Sequence, residues 1–318
     1  MSDAAPISRA DVEAARATIG GRLHRTPTFS SATLSRLSGA EVSLKAELFQ
    51  RTGSFKPRGV LTKLASLSAE ERARGVIGVS AGNHAQALAY CAALEGLDCL
   101  VVMWRTASPL KIEATRRYGA AVDLEAEGPA VVFERLSELL AETGRTLVHP
   151  FDDPLVASGQ GTVALELEED VPGLDTIVVP VGGGGLLSGI ATAFPGRIVA
   201  VEPERSRALH EALAAGRPVP VEPESVADGL NAPFAGETVL AVCQGRAVET
   251  VLVSEDDIAQ GMRFLYGRAK LACEPAGAAA TAALLAGKVE LSAGERVAAV
   301  VSGGNVVAQT ASGILASP

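Results

Sequence analysis

Apolar runs of strand length alternate along the chain with segments that have the period of a helix. The apolar runs are GVIGVS (75–80), LDCLVVMW (97–104), TLVHPF (146–151), DTIVVPV (175–181), RIVAVEP (197–203) and RVAAVV (296–301). The helical segments between them are HAQALAYCAALEG, SPLKIEATRRYG, PLVASGQGTVALELEED, GLLSGIATAF and SRALHEALAAG. This order predicts repeated βαβ units, and therefore an α/β fold with a mostly parallel sheet covered by helices on both faces.

The composition supports such a core and narrows the range of partners. The chain has 318 residues, of which 47% are hydrophobic and 4% aromatic. This length suits about two domains that fold by burial alone. The formal net charge is −9, and a nucleic-acid-binding surface needs clustered lysine and arginine, which the sequence lacks. We therefore expect a small-molecule partner and no nucleic acid.

Two further features bear on the location of the protein. The four cysteines form no C-x-x-C pair and lie in apolar runs, so we predict reduced core residues at Cys91, Cys99, Cys243 and Cys273. The N-terminus lacks a basic segment followed by an apolar one, and no apolar run is long enough to span a bilayer. We expect a cytoplasmic protein that does not enter membranes.

Three of the predicted strands run directly into loops of small residues, at 80–84, 182–185 and 302–305. In open parallel sheets, ligands bind beyond the carboxyl ends of the strands, where amides at helix N-termini attract anions. We therefore expect the three loops to form one shared site.

The second of these loops consists of four consecutive glycines within PVGGGGLLSG. Such a run leaves backbone N–H groups free to approach a phosphate closely, and the following helix adds its dipole. The alternative is a dinucleotide-binding G-x-G-x-x-G motif, with Glu202 as the ribose-binding acid at the end of the next strand. That motif fails at its third glycine, because Leu187 occupies a position that needs a small residue. A non-catalytic nucleotide-binding module stays open as the more distant interpretation.

The other two loops and one lysine offer groups that suit a small anionic ligand. Ser80 to Asn83 form a turn before a helix, which is either an ordinary N-cap or a cradle for a carboxylate. Ser302 is expected at the tip of the last strong strand. In GSFKPRG, Lys56 follows Phe55 and precedes a proline, so we expect a partly desolvated amine with a lowered pKa.

Residues 216–237 are rich in proline and glycine and have two interpretations. They form either a linker or a loop that packs near the site. Three histidines, His24, His149 and His210, show no spacing typical of metal ligands, and we assign no role to them.

The sequence resembles a known family in five blocks: TGSFKPRG, SAGNHAQA, PVGGGGLLSG, CEPAGA and SGGN. This is the pyridoxal-phosphate-dependent serine/threonine dehydratase family, which is tryptophan-synthase-β-like, of fold type II and related to serine racemase. The resemblance runs from HRTPTF near residue 24 to Asn305, with further agreement at HPFDDPLVASGQGT. It implies two open-twisted parallel-sheet α/β domains with the cofactor, pyridoxal 5′-phosphate, in the cleft between them. We expect a large cofactor-binding domain of residues 1–50 and 151–318, and a small domain of residues 51–150 that contributes the SAGNH substrate loop.

The resemblance also implies roles for individual residues. Lys56 matches the lysine that forms the Schiff base with the cofactor aldehyde, and is the expected catalytic residue. Asn83 matches the residue that binds the ring hydroxyl oxygen, and Ser302 the group that faces the pyridine nitrogen. The expected cofactor-binding residues are Phe55, Lys56, Asn83, Gly182, Gly183, Gly184, Gly185, Leu186 and Ser302. The expected substrate-binding residues are Ser80, Ala81, Gly82, Asn83 and His84.

The implied reaction is β-elimination of water and ammonia from a small β-hydroxy amino acid, most simply L-threonine or L-serine, to give a 2-oxo acid. A serine at the pyridine nitrogen leaves the ring a weaker electron sink, which couples loss of the α-proton to departure of the β-hydroxyl. Racemases of the family carry a second serine where this chain has Ala81, which favours elimination over the alternative, an amino-acid racemase. Hydroxyaspartate and phenylserine are alternative substrates.

The resemblance bears on three further properties. Metal-binding members have an acidic residue at the position of Ala208, so we predict no metal site, although Glu202 and the Ser206 carbonyl offer oxygen ligands. A homodimer follows from the resemblance alone. The 13 residues from 306 to 318 are too few for the C-terminal regulatory domain of the longer threonine dehydratases, and we expect none.

Overall fold

The structure, a computed structural model, describes residues 6–128 and 131–316. Its larger sheet is built from β1 (Thr28–Ser30), β2 (Glu41–Ala46), β7 (Thr176–Pro180), β8 (Arg197–Pro203), β9 (Glu249–Val253) and β10 (Arg296–Val301). The order across this six-stranded sheet is β1-β2-β10-β7-β8-β9. Strand β1 pairs with β2 in the antiparallel direction, and the other neighbours are parallel.

The second sheet has four strands, which are β3 (Val76–Val79), β4 (Cys99–Trp104), β5 (Ala121–Ala126) and β6 (Thr146–Leu147). They are parallel and lie in the order β5-β4-β3-β6. The predicted α/β fold with two parallel-sheet units is therefore confirmed. All four strands fall inside residues 51–150, the range predicted for the small domain, but the domain boundaries themselves stay a prediction.

Helices pack on both sheets in the part of the chain that the structure describes. They are α1 (Arg9–Ile19), α2 (Ala32–Ser38), α3 (Pro57–Ala65), α4 (Ala69–Arg74), α5 (Asn83–Leu94), α6 (Pro109–Arg117), α7 (Val132–Thr143), α8 (Pro154–Asp170), α9 (Gly185–Ala193), α10 (Ala208–Ala215), α11 (Glu237–Gly245), α12 (Glu255–Phe264), α13 (Pro275–Leu285) and α14 (Ala308–Ala316). Each of the five predicted helical segments corresponds to one of these helices, namely α5, α6, α8, α9 and α10.

The central strands of the six-stranded sheet are apolar along their whole length because both of their faces are covered. In β10, Val297, Ala299 and Val301 pack on one face, with α12 and α13. Ala298 and Val300 pack on the opposite face, with α8 and α9. Two-sided burial explains why the sequence shows continuous apolar runs at these strands instead of alternation.

The edges of the two sheets differ from the prediction. The run 146–151 pairs only over Thr146–Leu147, and Pro150, with no N–H, cannot extend the ladder. Strands β5 and β9 lie at sheet edges, and most of their residues are half-buried or exposed. They carry no long apolar run, and the sequence analysis does not predict them.

Two smaller expectations concern cysteines and membranes. Cys91, Cys99 and Cys273 are buried free thiols and Cys243 is half-buried, as expected for core residues. No helix in the described part of the chain is long and apolar enough to cross a membrane.

Candidate active site

Lys56 lies directly before the first residue of α3, where segments from the two sheets meet. Its Nζ donates a hydrogen bond to the carbonyl oxygen of Pro150 at 2.7 Å and lies 5.2 Å from the centre of the Phe55 ring. Burial lowers the pKa of Lys56 to about 8, against the opposing charge of Glu274. At neutral pH a much larger fraction of this amine is neutral and nucleophilic than of an ordinary lysine.

The loop that carries Lys56 is held against the end of β10. Ser54 forms a β-bridge with Gly303, and the Phe55 N–H donates to the Ser302 carbonyl oxygen at 3.2 Å. Ser302 is only 4% exposed. The lysine loop and the loop after β10 therefore form one wall of the site.

Asn83, the first residue of α5, is held at both ends of its side-chain amide. Its Nδ2 donates to Oε1 of Glu274 at 2.7 Å, and its Oδ1 accepts from Nδ2 of Asn305 at 2.8 Å. The same Asn305 nitrogen donates to the carbonyl oxygen of Thr52 at 2.6 Å. Because a carbonyl oxygen can only accept, Thr52 fixes the direction of each bond in this series. Two of the three predicted loops are thus joined.

Glu274 is a site residue that the sequence analysis does not predict. It is 2% exposed and directly precedes α13. Burial raises the pKa of Glu274 to about 7, and the negative charge of Asp228 adds to this effect. The residue lies in the quoted CEPAGA block, where an acidic side chain among apolar neighbours was the available signal. Its contact with Asn83 depends on tertiary structure alone.

The glycines after β7 form a cradle against larger residues. Gly183 faces the ring of Phe151 so closely that a side chain there would collide with it. A Cβ built at Gly185 would lie 2.9 Å from the Phe151 carbonyl oxygen. Gly184 has a φ of 96°, a conformation that favours glycine. Leu186 follows in the first turn of α9, so backbone N–H groups and the helix dipole point to the place where a phosphate would bind.

Pro150 and Phe151 connect the lysine to this glycine loop. The carbonyl of Pro150 accepts from Lys56, and the next residue packs on Gly183. His149 shapes the turn, since its Nδ1 accepts from the Phe151 N–H at 3.3 Å. Burial lowers the pKa of His149 to about 4, so the imidazole is neutral. The structure therefore brings all three predicted loops to one site, as expected.

The SAGNH loop offers mainly backbone groups. The Oγ of Ser80 accepts from the Gly82 N–H at 3.1 Å, and Ala81 is half-buried beside them. His84 is 2% exposed, and its Nε2 is bonded to the carbonyl oxygen of Val148 at 2.9 Å. Burial lowers the pKa of His84 to about 3, so its imidazole carries no charge to attract a carboxylate. The Ser80 N–H donates to the Val102 carbonyl oxygen at 3.2 Å, so the N–H groups of Asn83 and His84, at the start of α5, are the backbone donors left for an anion.

The wall behind Lys56 is closed by a buried ion cluster. Arg58 is 1% exposed and pairs with Glu47 at 2.8 Å and with Glu166 at 2.7 Å. Helix α3 crosses α8 so closely that a Cβ at Gly159 would lie 2.5 Å from the Arg58 carbonyl oxygen. The position of Lys56, at the start of α3, is therefore set by this crossing.

The 216–237 segment packs near the site and is not a free linker. The Gly236 N–H donates to the Gly183 carbonyl oxygen at 3.1 Å. The ring of Phe234 lies 5.3 Å from the ring of Phe151. Of the two interpretations left open by the sequence, the structure supports the loop near the site.

Glu202 is engaged at the N-terminus of α10. Its two carboxylate oxygens accept from the backbone N–H groups of Leu209 at 2.7 Å and His210 at 2.9 Å. Burial raises the pKa of Glu202 to about 7. Among the described residues, no group of three or more His, Cys, Asp or Glu side chains is placed to hold a metal ion.

A partly neutral lysine, a glycine loop at a helix N-terminus and an amide of fixed direction at the junction of two parallel sheets suit a cofactor that carries an aldehyde and a phosphate. The family model described as "Pyridoxal-phosphate dependent enzyme" matches residues 20–303. The chain belongs to this family of pyridoxal-phosphate dependent enzymes, so the predicted family and cofactor are confirmed.

Curated relatives cover almost the whole chain. The catabolic L-threonine dehydratase TdcB of Staphylococcus aureus (strain N315) is 42% identical over 322 residues, which span 97% of this chain and 92% of that protein. The L-threonine ammonia-lyase of Thermotoga maritima is 40% identical over 306 residues, which span 94% of this chain and 76% of that protein.

Solved structures show the same fold. Maize serine racemase is similar with a TM-score of 0.91 and 35% identity, over 96% of this chain and 95% of that one. A threonine deaminase from T.th. is similar with a TM-score of 0.87 and 39% identity, over 94% of this chain and 99% of that one. The fold is therefore shared by dehydratases and racemases.

The residues present fit pyridoxal phosphate. The Phe151 ring leaves no room for a side chain at Gly183, so the loop presents bare backbone next to a helix N-terminus that suits a phosphate. Lys56 provides an amine for the aldehyde, and Asn83 provides an amide of fixed direction. When bound, the cofactor supplies an aldehyde that condenses with amines and a ring that withdraws electrons from the α-carbon of the substrate.

Proposed function

We propose that this enzyme removes water and ammonia from a small β-hydroxy amino acid, L-threonine or L-serine, to give a 2-oxo acid. The observation that carries the proposal is the buried amine of Lys56, which faces the Pro150 carbonyl beside the glycine cradle. The predicted class, a threonine/serine ammonia-lyase, is confirmed by relatives that are 42% and 40% identical over nearly the full chain. A non-catalytic nucleotide-binding module is no longer an alternative.

Lys56 has two roles in this proposal. It holds the cofactor, and after a substrate amine has taken its place its neutral amine accepts the α-proton. Burial supports the second role, because it lowers the pKa of Lys56 to about 8 and leaves a usable fraction of neutral amine at neutral pH. The glycine loop of residues 182–185 would hold the phosphate of the cofactor, which would supply an acidic group for the departing hydroxyl.

The cofactor-binding set remains as the sequence predicts it. The proposal assigns the ring hydroxyl oxygen to Asn83 and the pyridine nitrogen to Ser302. Phe55 is assigned to the side of the site next to the Lys56 amine. The phosphate is assigned to Gly182, Gly183, Gly184, Gly185 and Leu186. Their convergence around Lys56 supports these roles.

The substrate carboxylate is proposed to bind the SAGNH loop. The backbone N–H groups of Asn83 and His84 lie in the first turn of α5 and suit an anion. The Ser80 hydroxyl, whose oxygen accepts from the Gly82 N–H, is proposed to donate its own proton to the same carboxylate. Ala81 offers no hydroxyl on this loop, so no group there delivers a proton to the opposite face of the substrate. Elimination is therefore proposed as the main reaction, with racemisation as the minor alternative.

One incubation separates the two reactions. The purified protein, loaded with pyridoxal phosphate, is incubated with L-threonine and, separately, with L-serine. We expect 2-oxobutyrate and pyruvate to accumulate in proportion to enzyme, while the remaining amino acid keeps its chirality. Loss of chirality without 2-oxo acid would replace the proposal by racemisation. If neither L-threonine nor L-serine reacts, hydroxyaspartate and phenylserine become the substrates to test.

A homodimer is proposed as the assembled state. Phe29 on edge strand β1 and Phe49 are 43% and 48% exposed, with ring centres 6.5 Å apart, and Leu37 is 61% exposed. Exposed apolar side chains of this size support a protein interface on this face. Light scattering of the holoenzyme at micromolar concentration tests this, and a monomer mass would contradict it.

Two further proposals concern domains and location. The domains are proposed to be 1–50 with 151–318 and 51–150, and limited proteolysis of the holoenzyme tests whether cleavage falls near residues 50 and 150. A cytoplasmic location is proposed because the four cysteines are free thiols, as is usual in a reducing compartment. Cell fractionation tests it.

A further inference from the structure

An ion pair spans the side of the site opposite the Arg58 cluster, which we call the front. Nζ of Lys111, on α6 beside the four-stranded sheet, pairs with Oδ2 of Asp228 in the 216–237 segment. The side chain of Lys111 is 19% exposed and that of Asp228 is 54% exposed. The two partners come from opposite sides of the cleft, so the pair ties one side to the other.

The turn that follows Asp228 lies directly on the site. A Cβ built at Gly229 would lie 3.6 Å from Oε1 of Glu274 and 3.9 Å from Nδ2 of Asn83. Leu230 continues over the glycine loop, where its backbone lies 3.1 Å from the position of a Cβ at Gly182. The turn therefore covers both the amide proposed for the cofactor hydroxyl and the phosphate cradle.

The rest of the segment is bonded to the side of the six-stranded sheet. Ser206 Oγ donates to the Leu230 carbonyl oxygen at 2.9 Å, and the Val226 N–H donates to Oε2 of Glu255 at 2.7 Å. A second contact across the cleft is aromatic, since the rings of Phe133 on α7 and Phe234 are 6.0 Å apart. Lys111 thus contacts the middle of a segment that is otherwise bonded to the opposite side.

The two charges also act on Glu274. Asp228 raises the pKa of Glu274 and Lys111 lowers it. The other groups around this carboxyl are the Asn83 amide, the backbone N–H of Asn305 and the Lys56 amine. The effects of Asp228 and Lys111 on the pKa of Glu274 are therefore opposite, and that of Asp228 is the larger.

We propose that Lys111 and Asp228 are positioning residues, whose ion pair keeps the Asp228–Gly229 turn seated on the Asn83–Glu274 pair and so controls how the amino-acid substrate enters and is enclosed. This inference rests on the proposed function of the site. The Lys111–Asp228 pair acts on the substrate through the Asp228–Gly229 turn, and on the cofactor through Asn83. Neither Lys111 nor Asp228 takes part in a chemical step.

Amide hydrogen exchange of the holoenzyme tests the positioning. We expect Lys111→Met and Asp228→Asn each to raise exchange in residues 228–236 about two- to fivefold, as for loss of an exposed ion pair. The double variant Lys111→Asp with Asp228→Lys restores the pair with reversed charges and should return exchange towards the wild-type rate. Glu113→Gln is the matched control, because it breaks the exposed Glu113–Arg117 pair on the same helix. Unchanged exchange in both single variants would overturn the proposal, as would no recovery in the double variant.

The pH profile of kcat/KM supplies a readout that mere loss of packing would not move. Glu274 accepts from the Asn83 amide at 2.7 Å, so its protonation should affect the amide proposed for the cofactor hydroxyl and with it kcat/KM. Removing the cation should raise the pKa of Glu274 and removing the anion should lower it, so the two single variants should shift the profile in opposite directions. A shift of both in one direction would contradict the proposal. A holoenzyme that releases no 2-oxo acid would refute the proposed function, whereas the exchange measurement on the same holoenzyme would still decide the role of the ion pair.

Discussion

Behind Lys56, two helices cross with glycine against backbone and a buried ion cluster between them, whereas the front of the site is covered by an irregular segment with an exposed aspartate. In the rear wall, Arg58 is 1% exposed and Glu47 is fully buried. In the front cover, the corresponding charges are 19% and 54% exposed. The same type of interaction, an Arg or Lys with a carboxylate, is thus used in two very different environments.

The difference in burial between the two sets of charges indicates a different role for each wall. A buried cluster fixes geometry, since the loss of one partner leaves an uncompensated charge away from water. A half-exposed pair is worth far less and can open at little cost. The rear wall therefore suits a lysine that must be held in one place, and the front suits a cover that must move for substrate and product.

The largest expected effect comes from the residue that the rear wall positions. In Lys56→Ala we expect 2-oxobutyrate release from L-threonine to fall below detection, because the variant has no amine to hold the cofactor or take the α-proton. The fold should persist, and circular dichroism checks this. Lys63→Ala is the control, since Lys63 lies two turns further along, in α3, at about 10 Å by helix rise, and pairs with Asp153 at 2.8 Å. Turnover retained in Lys56→Ala would remove the central residue from the account.

The rear wall itself is tested by Arg58→Met. This change leaves the carboxylate of Glu47 buried without its cation, whereas Glu166 keeps Lys45 at 2.8 Å. We expect the free energy of unfolding to fall by about 3–5 kcal/mol. The matched change in the front cover, Lys111→Met, should cost about 0–1 kcal/mol. Urea unfolding of both variants measures the difference. Equal losses would show that the two walls do not differ as described.

The phosphate cradle is tested by Gly183→Ala. A methyl group at this position would collide with the ring of Phe151, so we expect the affinity for pyridoxal phosphate to fall at least about tenfold, a change of about 1.4 kcal/mol. Gly245→Ala is the control, because a Cβ there would meet no atom within 4 Å. Fluorescence titration of the cofactor-free proteins gives both affinities. Wild-type affinity in Gly183→Ala would argue against a phosphate at this loop.

The burial of Lys56 predicts a pH dependence of stability in the cofactor-free protein. Burial lowers the pKa of Lys56 from 10.5 to about 8, so between these values the unfolded chain binds more protons than the folded one. The free energy of unfolding therefore gains a rising contribution with pH across this window. Lys56→Met lacks this contribution, and its stability advantage at neutral pH should shrink as the pH rises from about 8 to 10.5. A difference that stays constant with pH would show that the amine is not desolvated.

The smallest expected effect is at the front of the site. Ala81→Ser places a hydroxyl on the half-buried SAGNH loop, where we expect it to add slow loss of chirality of L-serine to an otherwise intact elimination. Chiral chromatography of the remaining substrate measures this. Complete retention of chirality would weaken the argument that the opposite face lacks a proton donor only because of Ala81.

The sequence predicts well where burial is two-sided. The central strands β3, β4, β7, β8 and β10 read as apolar runs because both faces are covered. The edge strands β5 and β9 do not, since most of their side chains are half-buried or exposed and they therefore carry no long apolar run.

The site divides in the same way. Lys56, the Gly183 cradle and the Asn83 loop follow directly after strands or before helices, so local pattern and family resemblance point to them. Glu274 and Phe151 owe their place to contacts with residues that are far away in the sequence. The ion pair between Lys111 and Asp228 likewise joins two surface charges that look ordinary in the sequence.

Whether Lys56 holds pyridoxal phosphate is tested most directly by locating the cofactor on the chain. Reduction of the holoenzyme with borohydride fixes pyridoxal phosphate to the amine that holds it, and peptide mass mapping then identifies that residue. We expect one labelled peptide, with the label on Lys56. A label on another lysine, or none in a protein that still releases 2-oxobutyrate from L-threonine, would contradict it.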